Sequence, residues 1–166
     1  MWDALMDYFT RYPAQERVVR LLIKNGFRIA DGRVWAGEVE LADAALARAA
    51  NVDRRIVAST ISTIEASGQL AQIFQRFRPT LHLKDVAPLL NWGVIEIGAQ
   101  DAAKPGIVSG VSAIIARQRI SIRQCVVEDP DFTDTPKLYL ITEKAIPAAL
   151  LQEIQQVPGV RSVTIY

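Results

Sequence analysis

Gly93-Val94-Ile95-Glu96-Ile97-Gly98, the loop Asp101-Ala102-Ala103-Lys104-Pro105-Gly106 and the run from Ile107 to Ile122 decide how this chain is read. Apolar residues alternate through the first piece, a Pro-Gly turn follows, and the turn opens into apolar residues at helical spacing. Ile107, Val111, Ile114 and Ile115 mark the stripe that this helix buries. Beyond it Ile120, Ile122 and Val126 alternate with Ser121, Arg123 and Val127, which predicts a second strand. The acidic, proline-containing stretch from Glu128 to Thr135 predicts a solvated turn. Leu138-Tyr139-Leu140-Ile141 supplies a third strand, and Leu150, Leu151 and Ile154 the inner side of a second helix. Pro105 and Pro147 both stand where a proline suits the first position of a helix, since its missing N–H has no partner there anyway. Val160, Val163 and Ile165 form a closing strand.

Strand, helix, strand, strand, helix, strand is the split βαβ order of ferredoxin-like folds. On Lys104-Pro105-Gly106-Ile107-Val108 and Val157-Pro158-Gly159-Val160-Arg161-Ser162-Val163, residues 93–166 resemble the ACT domain, a small-molecule-sensing regulatory module. Read from the residues themselves, the loop offers the N–H groups of a helix start to a carboxylate, and Gly106 lets a ligand come close. The resemblance implies an amino acid bound at an interface between two copies. Asp101, Lys104, Pro105, Gly106 and Ile107 would contact it from one copy, and Ser121 and Arg123 from the second strand of the other. Lys104 would pair with an anion and Asp101 accept from an α-amino group. Ala103 occupies a position where the family carries Asp or Asn, and Arg119-Ile120-Ser121 replaces a Gly-aliphatic-Asn pattern.

The first half reads differently. Trp2, Leu5, Met6 and Phe9 make one stripe of a short helix, and Pro13 starts another that carries Val18, Val19, Leu21, Leu22 and Ile23 and stops at Asn25-Gly26. Asp31-Gly32 is a hairpin dipeptide between Phe27 and Leu41. Ala42 to Ala50 is a strong helix former, Asn51-Val52-Asp53 breaks it, and Asp53 suits the N-cap of a helix from Arg54 to about Ser67. Two such helices around a short turn make a helix-turn-helix, whose second helix enters the major groove. This half resembles the winged helix-turn-helix domains of prokaryotic regulators. Arg54, Arg55 and Ser59 would face DNA, while Arg48 and a wing-like Gln75-Arg76-Phe77-Arg78 would reach phosphates through Arg76 and Arg78. Residues 1–78 are therefore expected to form the DNA-binding domain, 79–92 a connector and 93–166 the ACT-like domain, an α+β chain overall.

Composition sets the bounds. The chain has 166 residues, 50% hydrophobic and 22% charged, enough for a core in each half. Its net charge is +1, with 12 Lys+Arg against 10 Asp+Glu in residues 1–90 and 7 against 8 in residues 91–166, so nucleic-acid binding must rest on local placement. No apolar run suits a membrane span and no secretion signal is legible at the N-terminus; with Cys125 as the single cysteine, a cytoplasmic location is expected. His82 is the single histidine, so a His/Cys metal cluster is not expected, nor is any cofactor. Cys125, mid-strand, reads as a small half-buried hydrophobe, and no nucleophile-base pairing or phosphate loop is legible, which points away from an enzyme. The expected function is an amino-acid-responsive transcriptional regulator with DNA, an amino acid and further copies of itself as partners. Two alternatives remain at this level: a regulatory subunit giving amino-acid feedback to a separate enzyme, and an ACT-like module that only assembles oligomers.

Overall fold

A computed structural model describes residues 5–166. The chain divides at Leu81/His82 into two compact units, so most of the stretch read as a connector belongs with the second unit.

In the first unit, helix α1 (Pro13–Asn25) begins with proline in its first turn and ends at Gly26, whose φ of 64° is left-handed. A side chain there would lie 2.4 Å from the Arg78 carbonyl oxygen, so both conformation and space demand glycine. Strands β1 (Arg28–Ala30), β2 (Arg33–Ala36) and β3 (Val39–Leu41) then form an antiparallel meander in the order β1-β2-β3. Asp31 and Gly32, with φ of 54° and 69°, make the tight turn that their sequence promised. Helices α2 (Asp43–Ala50), α3 (Arg54–Ala66) and α4 (Gly68–Phe74) follow. Phe9, Val18, Val19, Leu22, Ile29, Val34, Leu46, Val57, Ile64 and Phe74 share one core, each worth about 1.5–3 kcal/mol when fully buried. Leu5 and Phe9 of the first expected stripe are buried, whereas Trp2 lies outside the described residues.

The expected wing is not where the sequence suggested. Ser67 caps α4 by accepting from the Leu70 N–H, and Leu70, Ile73, Phe74 and Phe77 turn one apolar stripe onto the core. Gln75 and Arg76 therefore continue the helix as a turn, and neither they nor Phe77 and Arg78 belong to a strand. The sheet of this unit comes before the helix pair, between α1 and α2.

The second unit runs β4 (Gly93–Ala99), α5 (Ile107–Arg117), β5 (Ile122–Val127), β6 (Lys137–Thr142), α6 (Leu150–Gln155), β7 (Val160–Ile165), preceded by a 3₁₀ turn at Ala87–Leu90. All pairings are antiparallel and the sheet order is β5-β6-β4-β7. The strands leading into the two helices thus lie side by side in the middle. Ile95, Ile97, Val111, Ile115, Leu140 and Ile154 form the core between helices and sheet. Val94, Tyr139 and Ile141 on the opposite face pack against Ala87, Leu83 and Trp92. Cover on both faces explains why β4 reads as a nearly continuous apolar run.

Three local expectations are corrected. Gly106, at φ 104°, separates Pro105 from the helix, which starts at Ile107, and Pro147 opens a turn ahead of α6. The register of β5 against β6 shifts between Ile122 and Gln124, so Ile122 faces the helix-side core while Val126 packs on the other face. Cys125 is exposed, not half-buried, because β5 is an edge strand. No helix among the described residues is long and apolar enough to cross a membrane.

Candidate functional site

In the first unit the candidate surface is built by α2, its turn and α3. Asn51 ends α2 in a left-handed conformation (φ 51°), and Arg17 of α1 donates to its carbonyl at 3.4 Å. Asp53 is extended and its Oδ1 accepts from the Arg55 N–H at 2.8 Å, the N-cap bond expected from sequence. Val57, Thr60, Ile61 and Ile64 bury one side of α3 and leave Arg54, Arg55, Ser59 and Ser62 on its exposed side. Among the described residues neither Arg54 nor Arg55 has an ion-pair partner, and the first turn of α3 carries no acid. Two unpaired cations at the positive end of a helix are locally unfavourable.

The other sequence-predicted contacts divide. Arg48 is exposed on α2. The Ser59 hydroxyl is already engaged, donating to the Ile56 carbonyl at 3.0 Å and accepting from Gln15 Nε2 at 3.1 Å. Arg76 and Arg78 are exposed but donate to nearby carbonyls of Gln72 and Phe77.

In the second unit the Asp101–Val108 loop roofs a cavity of about 280 Å³. Asp101 Oδ1 accepts from the Ala103 N–H at 2.9 Å, tightening the loop, and so is partly occupied in its own turn. Ile97, Ala99, Ile107, Val108, Val127 and Leu138 supply most of the walls, with Lys104, Glu128 and Lys137 also present. Gly159, at φ 95°, backs the loop: a side chain on it would meet Ile107 at 3.2 Å and the Lys104 stem at 3.5 Å. Lys104, Pro105, Gly106 and Ile107 therefore line one cavity, while the Asp101 carboxylate braces the loop above it.

Ser121 and Arg123, expected to act from a second copy, lie away from the cavity of their own chain. Ile122 pairs with Thr142 and Val127 with Leu138, so the predicted pair sits at the far end of β5 from the cavity. The Ser121 N–H donates to Glu143, and the Arg123 guanidinium lies 4.2 Å above the Trp92 ring. Val127, on the same strand, and Glu128 just beyond it line this cavity from within the chain, a consequence of strand register that the alternating pattern did not reveal.

Sequence reading also missed a charged cluster on the opposite sheet face. Glu96 lies 3.0 Å from Lys84 Nζ, 3.4 Å from Lys137 Nζ and accepts from the Tyr166 hydroxyl at 3.1 Å. Burial favours the neutral acid, but the hydrogen bonds from Lys84 and Tyr166 and the Lys84 charge outweigh it and lower the Glu96 pKa. The available signal was a lone acid inside Val94-Ile95-Glu96-Ile97. Although Cys125 is exposed, the desolvation its thiol undergoes on the sheet pushes its pKa up, the reverse of an activated nucleophile.

No protein-family model matches this chain. No curated protein matches it either. Among solved structures, one described as a transcriptional regulator is 20% identical over 92% of this chain and 89% of its own, with a TM-score of 0.31. The leucine response regulatory protein LrpA of Mycobacterium tuberculosis is 20% identical over 92% of this chain and 90% of its own, with a TM-score of 0.28. The C-terminal domain of the MgtC protein of the same organism is 18% identical over 45% of this chain and 83% of its own, with a TM-score of 0.34. None of these TM-scores defines a shared arrangement.

Proposed function

We propose that this chain is an amino-acid-responsive transcriptional regulator that reads DNA through α2 and α3 and senses an amino acid at the Asp101–Val108 loop. The observation that carries the reading is the pair of exposed, unpaired arginines, Arg54 and Arg55, opening a helix that follows a short turn. Phosphates or a guanine edge would supply the negative partner that the fold withholds. Arg48, one helix earlier, adds a phosphate contact; Arg76 and Arg78 add flanking ones.

The second half fits a sensor. Its loop, helix start and cavity lie together, and β5 is an edge strand whose exposed Val127 and Cys125 suit pairing with a second copy. Such pairing would space two DNA-reading helices, and a ligand that alters the pairing would alter affinity for DNA. The chain acts without catalysis in this reading. The exposed edge also favours the plainer alternative, a module that only assembles oligomers.

Binding to a labelled duplex pool, titrated with salt in the presence and absence of a mixture of amino acids, tests the proposal. Affinity that falls steeply with salt and changes with amino acid supports it. Absence of any salt-dependent binding leaves the assembly reading in its place.

A further inference from the structure

We infer that the cavity under the Asp101–Val108 loop selects an amino acid with an apolar side chain; this rests on the reading of that loop as an amino-acid site. The walls make the selection. Ile97, Ala99, Ile107, Val127 and Leu138 present hydrocarbon, and Pro105 and Pro136 close the rim without N–H donors. A polar side chain entering here loses its water and gains little in exchange.

Size agrees with that class. An apolar protein cavity of about 150 Å³ holds a benzene ring, and this one measures about 280 Å³. An aliphatic side chain with its amino-acid head fits, whereas pockets for larger molecules begin near that size and extend to roughly 1,000 Å³. The mouth points the same way. Val108 and Val127, 40% and 56% exposed, stand at the cavity, and a ligand with an apolar body takes both out of water. Lys104 is the basic side chain of the loop, its stem laid over Gly159, and it serves the ligand's carboxylate rather than its side chain.

Thermal unfolding of the full chain with single L-amino acids tests this. Leucine, isoleucine and valine should raise the Tm by at least about 5 °C at a hundredfold excess over Kd. Leucine should bind at least about tenfold more tightly than alanine. Serine, asparagine and aspartate should give no comparable rise. Val127→Asp sets a charge at the mouth, so the leucine shift should disappear in a variant whose own cooperative unfolding shows that it is folded. A shift with polar amino acids alone overturns the selectivity and leaves the sensor reading standing. No shift with any amino acid overturns both. A leucine shift that survives Val127→Asp places the ligand elsewhere and overturns the assignment to this cavity.

Discussion

Lys84 Nζ lies 3.0 Å from Glu96 Oε2, a pairing between residues twelve apart that ties the segment before β4 to the sheet face β4 helps to build. Lys84 also stands 4.8 Å over the Tyr139 ring and 5.4 Å from that of Tyr166, so one ammonium group is shared by an acid and two aromatic faces. The same acid receives Lys137 and the Tyr166 hydroxyl. Leu83, Ala87 and Trp92 cover the neighbouring apolar part of this face, so charge and packing hold one segment together.

Replacing Glu96 by Gln should destabilise the second unit by about 1 kcal/mol, a modest figure because the partners are partly exposed and screened. The pH dependence follows from the directions of the shifts. The folded Glu96 pKa is below its ordinary 4.5, so its contribution is complete above that value and is lost as pH falls through the folded one. Lys84 is raised above 10.5, chiefly by its hydrogen bond to Glu96, so its contribution is complete below that pH and is lost on alkaline titration through the folded value. Urea unfolding between pH 3 and 7 should show an acid-side loss in the parent chain that is smaller in Glu96→Gln. Equal slopes in both proteins would remove the role given to this acid.

Gly26→Ala should cost on the order of 3 kcal/mol in the first unit. The new methyl group meets a backbone carbonyl at 2.4 Å, which no side-chain rotation relieves, and its φ of 64° disfavours any Cβ. Gly32→Ala is the control: its φ is similarly positive at 69°, yet nothing stands within 4 Å. Denaturant melts of the two variants should differ by the clash alone.

Gly159→Ala should destabilise the second unit by about 1–3 kcal/mol through its φ of 95°. Its methyl would also press on Ile107 at 3.2 Å and so move a wall of the cavity. Calorimetry should therefore report weaker leucine binding even at temperatures where the variant is fully folded.

Arg55→Ala should reduce DNA affinity by about 1–3 kcal/mol and relax preference at one base pair if the guanidinium reads a guanine. An equal loss on all sequences would make it a phosphate contact. Asp53→Ala acts by another route. It removes the bond from the Arg55 N–H and should cost about 1 kcal/mol of stability, visible in unfolding of the free protein, whereas Arg55→Ala should leave that curve in place.

Local signals were read well and distant ones were not. Asp31-Gly32 and Asp53 state their conformations in their own chemistry, and both hold. The register shift near Arg123 depends on how a strand meets its neighbour, which spacing along the chain does not encode. That shift moved Val126 off the face assigned to it, and strand register brought Val127 to the cavity. The basic tract around Arg76 reads as wing-like in sequence, but Phe77 packs against the core and against Phe74 at 5.1 Å. The Glu96 cluster joins Lys84, Lys137 and Tyr166, and Ser59 is engaged by Gln15 from α1. Only the folded chain brings such residues together.

The Gly32 N–H at the tip of the β1-β2 hairpin donates to the Glu65 carboxylate at 2.7 Å, near the end of α3. This one amide is therefore a resident gauge of where that helix lies. If a duplex seats the opposite end of α3, any tilt should be felt at the carboxylate and should change the amide's solvent exchange rate. Isotope labelling of that one amide with and without DNA would read out the motion of the helix at a distance from the groups proposed to touch the nucleic acid.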